Sequence, residues 1–295
     1  MIRALLFLFL SSSAISFCTP YYQLSICMIF QNEAPYLKEW IEFHRLMGAE
    51  HFYLCSHNST DHFRQVLAPY LKSGIVELRE VQSVAFETQV DFNTLQLDFY
   101  NDCLEKTKKR SQWVAFIDSD EYLFPTTAKN LIEFLSDFRE FAGVAVNWQM
   151  FGTSNVSQLI PGKLMIEQLT RCGDTNLEEI NSPIKSIVQP SLVFKFHNDP
   201  HSPAFQHGYY QVNTDKVPFL GPFSPYIQVD KLRINHYWTR DEYYFWNFKV
   251  PRQTRWIGLS REQLEHIPDK YNLYQDLSIL RFSDKLRRRM SKSPN

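Results

Sequence analysis

The stretch Trp113-Val114-Ala115-Phe116-Ile117-Asp118-Ser119-Asp120-Glu121 decides the fold. Trp113 to Ile117 form an unbroken apolar run, so a strand built from them must be covered on both faces, as at the centre of a sheet. Open α/β folds place ligand chemistry at the carboxyl end of such a strand. Side chains alternate along extended chain, so Asp118 and Asp120 can project to the same side. Two carboxylates there make a hard-oxygen site suited to Mg²⁺ or Mn²⁺, an ion that can neutralise a diphosphate and help it leave. The plain alternative is a solvated acidic turn.

Outward from this strand, strands and helices alternate through the first half. Residues 23–30 are a continuous apolar run and read as the first strand. Leu37, Trp40, Ile41 and His44 then recur at helical spacing over 36–47 until Gly48 stops the helix. His51 to Ser56 reads as a second strand. Asn58-Ser59-Thr60-Asp61 supplies turn and N-cap residues for a helix to about Lys72. Gly74 closes that helix, and Ile75 to Val81 is a third strand. A longer helix is expected over 93–108, its basic end Lys106-Thr107-Lys108-Lys109-Arg110 suiting a helix C-terminus. After the acidic motif come a helix near 128–138 and a strand over 143–148. Units of this length imply a mostly parallel sheet with helices on both faces. Beyond Phe151 Pro, Asn and Gly become frequent, and Asp199-Pro200-His201-Ser202-Pro203 cannot be regular structure. Residues 152–240 read as loops and short strands folded over the sheet edge, where an acceptor could be recognised. Helices resume over 241–249 and 261–267.

Composition narrows the function classes. The 295 residues are 44% hydrophobic and 15% aromatic, enough core for one large domain or two small ones. A formal net charge of -1 offers no electrostatic case for nucleic acid. The aromatic residues suit ring-shaped ligands, and a dense core equally. At the N-terminus Arg3 precedes the apolar run Ala4 to Leu10, and small residues Ser11 to Ala14 follow, the order of a secretory signal. The apolar stretch ends near Phe17, short of the roughly 20 residues that span a bilayer. Residues 1–18 are therefore expected to be a cleaved signal peptide or a short uncleaved anchor. Either places the globular part in the secretory pathway, exported or membrane-associated through its N-terminus. The tail Lys285-Leu286-Arg287-Arg288-Arg289-Met290 is a solvated basic end that could touch an anionic membrane. Cys18, Cys27, Cys55, Cys103 and Cys172 show no CxxC spacing, which argues against a zinc knuckle. Cys27, Cys55 and Cys103 read as core thiols; one disulfide is conceivable, and the sequence does not select its pair.

Four clusters carry polar chemistry. Gln31-Asn32-Glu33-Ala34 follows the first strand and can bond a ligand's base or ribose, or cap a helix. Asn58 to Asp61 follows the second strand; capping explains it fully, so a nucleotide role for Asp61 rests on position. The Asp118/Asp120 pair is the third. The fourth is Asn235-His236-Tyr237-Trp238, where a histidine could complete an octahedral site begun by the two carboxylates.

The run Asn32 to Trp40, the Asn58–Asp61 turn and Trp113 to Glu121 together resemble glycosyltransferase family 92. So do Asn147 to Gly152, Lys185 to Pro190 and Asn235 to Tyr237, all in the family's order over roughly residues 24–250. The resemblance implies a GT-A-like domain over 19–295: a donor half at about 22–151, an acceptor half at about 152–250, and C-terminal helices with the basic tail over 251–295. It further implies a nucleotide-sugar donor, UDP-linked in some members that transfer galactose, a glycan or glycoconjugate acceptor, a bound Mn²⁺ or Mg²⁺, and inversion at the anomeric carbon. Carried over by position, Asp118 faces the ribose or a metal-bound water, within a metal set of Asp118, Asp120 and His236. Asp120 binds the ion directly and His236 is the second protein ligand. Glu33 and Asp61 help hold the nucleotide, and Lys185 meets the diphosphate. Glu167 matches an acidic position associated with the base, with Asp174, Glu178, Glu179 and Asp199 as rivals. The Glu-Asp pair of many inverting GT-A enzymes is absent after Trp148, which leaves base and stereochemistry open. Two other readings compete. A metal-dependent phosphoesterase would normally need more ligands than one acidic pair. A relic that binds carbohydrate through Trp148, Tyr237 and Trp238 would bind glycan without turning over a donor.

Overall fold

In the computed structural model, which describes residues 21–82 and 88–292, strand β1 (Tyr22–Phe30) is covered on both sides. Leu24, Ile26, Met28 and Phe30 belong to one core with Leu37, Trp40, Ile41 and Phe43 of helix α1 (Ala34–Leu46). Cys27 and Ile29 belong to a second core with Phe99, Tyr100, Cys103 and Leu104 of a later helix. Alternate residues of an extended chain face opposite ways, so a continuous apolar run requires a helical layer on each face. Cys27, Cys55, Cys103 and Cys172 are buried free thiols. The signal or anchor expected over residues 1–18, Cys18 included, lies outside the described residues. Among those described, no helix is long and apolar enough to cross a membrane.

Strand β2 (His51–His57), helix α2 (Phe63–Lys72) and strand β3 (Val76–Val81) follow in chain order. Helix α3 (Gln89–Thr107) starts earlier than its apolar spacing suggests, because Thr88 and Asp91 close a reciprocal capping box. Strand β4 (Ser111–Phe116) pairs in parallel with β1 on the side opposite β2. The strand order is thus β3-β2-β1-β4, with the winding reversed between β1 and β4. Such a reversal opens a crevice at the carboxyl ends of the two strands.

Strand β5 (Glu121–Pro125) leaves the acidic motif, and Asn130 caps the short helix α4 (Leu131–Leu135), which a 3₁₀ turn extends to Phe138. Strand β6 (Gly143–Met150) rejoins the sheet. The region after Phe151 does not simply fold over the sheet edge. Strand β7 (Ile184–Val188) inserts between β4 and β6, antiparallel to both. Polar Lys185 and Ser186 disguise it as a surface segment, yet all five of its residues are buried. Strand β8 (Leu232–His236) runs antiparallel to β5 and parallel to the end of β6. Its register sets His236 opposite Glu121 and Met150, joining segments far apart in the chain.

One buried residue is expected to make the fold acid-sensitive. His44 of α1 is fully buried; its Nδ1 lies 2.8 Å from the carbonyl of Trp40, and its Nε2 accepts from the Leu123 N–H at 3.2 Å. Nε2 must therefore stay unprotonated, and burial pushes the ring's pKa down to about 3. A depressed histidine contributes stability above its unfolded value of about 6.5 and loses it as the pH falls toward 3, at about 1.4 kcal/mol per unit. Denaturant unfolding from pH 7 to pH 4 should show that slope, and His44→Gln should flatten it. Equal slopes in the two proteins would assign the acid sensitivity elsewhere.

Candidate active site

The crevice at the β1/β4 reversal is a cleft of about 370 Å³. Asp118 and Asp120 both line it, but strand alternation does not put them there. Strand β4 ends at Phe116, and residues 117–120 form a turn closed by the Glu121 N–H donating to the Asp118 carbonyl at 3.2 Å. Glu121 anchors the turn. Its fully buried carboxylate accepts from the Asp118 N–H at 2.8 Å, and its carbonyl accepts from Trp40 Nε1 of α1 at 2.9 Å. Burial pushes the Glu121 carboxyl well above the usual range, against the pull of Lys185.

Lys185 of β7 is 1% exposed and donates to Asp118 Oδ2 at 2.7 Å; Glu121 Oε1 stands 3.9 Å away. Burial favours loss of its proton, but Asp118 and Glu121 prevail and hold its pKa above the ordinary lysine value. Gln96 of α3 donates to the other Asp118 oxygen at 3.1 Å.

Asp120 has different neighbours. His236 Nε2, from the end of β8, lies 3.4 Å from its Oδ1, and Lys249 Nζ lies 3.4 Å from its Oδ2. Burial favours the protonated acid, yet Lys249 and His236 outweigh it and hold the carboxyl well below the usual range. Trp148 of β6 stacks obliquely on His236 at 4.6 Å, and His236 Nδ1 is buried without a hydrogen-bond partner. Lys249 closes a π-helical turn, Phe245–Lys249, whose extra residue per turn re-aims side chains. Its ammonium sits 4.4 Å over the Trp238 ring. Burial and Arg252 bring its pKa down to about 7 against the pull of Asp120. The turn runs into helix α5 (Val250–Ile257), which lines the cleft with Arg252, Gln253 and Trp256. Trp256 stacks on Phe92 at the start of α3, 5.2 Å between ring centres.

The remaining candidates separate. Glu33 lines the cleft, but its carboxylate is ion-paired with Arg240, whose guanidinium is packed over Tyr36 at 3.6 Å and Tyr244 at 4.8 Å. Asp61 is not among the lining residues; it accepts from the Ala34 N–H at 2.7 Å and the Phe63 N–H at 3.3 Å, tying the α1 and α2 entries together. Glu167 is away from the lining too, paired with Arg287 of helix α6 (Ser283–Met290). Of the rival acids, Asp199 lines the cleft and Asp174 does not; the side chains of Glu178 and Glu179 lie outside the description. Sequence reading missed Gln96, Lys249, Arg252 and Trp256. Lys249 is 129 residues from Asp120, and no local pattern marks a lysine that a distant π turn directs inward.

Among the described residues no group of three or more His, Cys, Asp or Glu side chains is arranged to hold a metal ion. The trio Asp118, Asp120 and His236 is not assembled, since Asp118 faces Lys185 and Gln96. Asp120 and His236 remain as one carboxylate oxygen and one imidazole nitrogen 3.4 Å apart. That mixed pair fits Mn²⁺, with further oxygens drawn from a phosphate-bearing ligand and water.

The sequence model of glycosyltransferase family 92 matches residues 22–272. A family 92 protein of Arabidopsis thaliana is 25% identical over 183 residues, covering 58% of this chain and 29% of that protein. One from Ricinus communis is 25% identical over 200 residues, covering 66% and 34%. The galactan beta-1,4-galactosyltransferase GALS1 of Arabidopsis thaliana is 27% identical over 106 residues, covering 35% and 21%. The chain thus spans about a third of the length of the first two. Among solved structures, S. aureus TarS 1-349 overlaps 84% of this chain and 70% of its own at 13% identity and a TM-score of 0.40. Its complex with UDP-GlcNAc overlaps 58% and 46% at 15% identity and a TM-score of 0.37.

Proposed function

This chain belongs to glycosyltransferase family 92, and from that premise we propose that its cleft transfers a sugar from a UDP-linked donor to a hydroxyl of a glycan or glycoconjugate. One observation carries the reading. Asp118, Asp120, Lys185, His236, Lys249 and Arg252, drawn from four separate segments, meet in a single cleft at the strand-order reversal. A nucleoside diphosphate is the ligand that uses these features together. Phe92 and Trp256 offer an aromatic surface for its base, Gln31 and Asn93 offer hydrogen bonds, and the three cations face its phosphates. Glu33 holds Arg240 and so shapes the floor. Asp61 sets the β1–α1 connection from behind through the Ala34 N–H.

Asp120 and His236 would hold a divalent ion, which supplies positive charge to the leaving diphosphate. Asp118, fixed by Lys185 and Gln96, orients the donor. Lys185 and Arg252 stabilise negative charge as the bond from the anomeric carbon to the phosphate oxygen breaks, in a site partly closed to water where such charge counts most. The acceptor oxygen attacks that carbon from the opposite face and its proton passes to a carboxylate, giving inversion. Asp199 is the carboxylate we assign as base, because it lines the cleft beside His201. Glu167, bonded to Arg287 elsewhere, would have to leave that pair to act.

The test is nucleotide release from UDP- and GDP-sugars with a mixed glycan acceptor, in Mn²⁺ and in chelator, for wild type and Asp199→Asn. Acceptor-dependent release from a UDP-sugar in Mn²⁺, lowered about 10²-fold or more by Asp199→Asn with donor affinity kept, is the expected result. Glycan binding without nucleotide binding would refute the transferase reading. Equal turnover in the variant would move the base to another residue.

A further inference from the structure

Lys249 enters the donor reading only as one of three cations facing the phosphates, yet its placement is costly. It is 3% exposed, its ammonium lies 3.4 Å from Asp120 and 4.4 Å over the Trp238 ring, and a π-helical turn is required to bring it there. Arg240 and Arg252 add positive charge around it. A buried cation among cations persists only where a counter-charge holds it, and the counter-charge it uses is Asp120, the same carboxylate that with His236 would hold a metal ion.

The two demands on Asp120 conflict. A divalent ion taken up by Asp120 places two further positive charges beside an ammonium that has no other carboxylate within ion-pair range among the described residues. A diphosphate removes the conflict, because its oxygens bring two or more negative charges between the cations. We propose that Lys249 keeps a divalent cation off Asp120 until a nucleoside diphosphate arrives, then binds that diphosphate, so that metal and nucleotide enter this site cooperatively. The inference rests on the donor reading above and adds an order to it: neither ligand is held firmly alone. Linkage makes the effect reciprocal, so Mn²⁺ must tighten UDP by the factor that UDP tightens Mn²⁺.

The experiment is titration of the full chain with Mn²⁺, followed by the electron paramagnetic resonance of the free ion, with and without saturating UDP. Wild type is compared with Lys249→Met and Lys249→Gln, two neutral replacements of similar length, so that one serves if the other fails to fold. UDP is expected to tighten Mn²⁺ in the wild type by about tenfold or more. In the neutral variants Mn²⁺ alone should bind several-fold tighter than in wild type, and the coupling to UDP should fall to within about threefold of none. Lys249→Arg, which keeps the charge, should retain the coupling; a lysine that merely fills space predicts no such rescue. Unchanged Mn²⁺ affinity and unchanged coupling in both neutral variants would overturn the proposal, as would UDP binding that never recruits Mn²⁺ to the wild type. A wild type that binds neither ligand would instead bring down the donor reading, and this inference with it.

Discussion

Replacing Asp120 with asparagine is expected to lower sugar transfer by about 10³-fold, the scale on which one aimed charge contributes to a transition state. Asp120 is the carboxylate that meets both His236 and Lys249. Its position is fixed from outside the cleft, because the Tyr237 N–H donates to its carbonyl at 2.8 Å and Glu121 closes the turn before it. Asparagine can keep that backbone geometry while removing the charge. Chelator should bring the wild type down to the variant's level and leave the variant unchanged, since both would lack the same ion. The informative readout is kcat in saturating donor, with UDP binding in chelator as the control for folding. A variant that retains a tenth of wild-type turnover and still responds to Mn²⁺ would show that the ion is held elsewhere.

The second large effect is on stability. Arg240 and Glu33 form an ion pair between residues 1% and 4% exposed. Arg240 Nε and Nη1 have no hydrogen-bond partner, so the guanidinium is held by Glu33 and by the faces of Tyr36 and Tyr244. Breaking such a pair from one side leaves a buried charge alone and costs about 3–5 kcal/mol. Arg240→Leu is therefore expected to lower Tm by roughly 6–15 °C. Burial already pushes the Glu33 carboxyl up, against the pull of Arg240, so the single variant should hold Glu33 protonated over a wider pH range. The double variant Glu33→Gln/Arg240→Leu should recover much of the loss, because the two sites are coupled. Additive losses in the double variant would mean that Arg240 acts through packing on the tyrosines rather than through the pair.

Some of this was legible in the chain and some was not, and the division follows the range of the interactions. Apolar runs at 23–30, 51–56 and 113–117 can be stable only with cover on both faces, so the sequence by itself determined a central parallel sheet with two helical layers. It also determined that Asp118 and Asp120 follow a buried strand, because a local change from apolar to acidic residues marks the edge of a core. Helix starts were less legible: α3 begins where Thr88 and Asp91 bond each other's backbone, and this outweighs the apolar spacing that pointed to Asn93. Only the tertiary structure decided which charges face one another. Lys185 looks like a surface residue in its own segment and is buried because β7 enters the middle of the sheet beside Asp118. Lys249 and Arg252 reach the cleft because a π turn and a stack of Trp256 on Phe92 carry α5 across it. Asp61 and Glu167 carry the same carboxylate chemistry as Asp120, but backbone N–H groups hold the first and Arg287 the second. A side chain's type is a property of the chain. The electrostatic neighbours that make one carboxylate a candidate ligand and another a latch come largely from other segments, 129 residues away for Lys249 and Asp120, and packing alone brings them together.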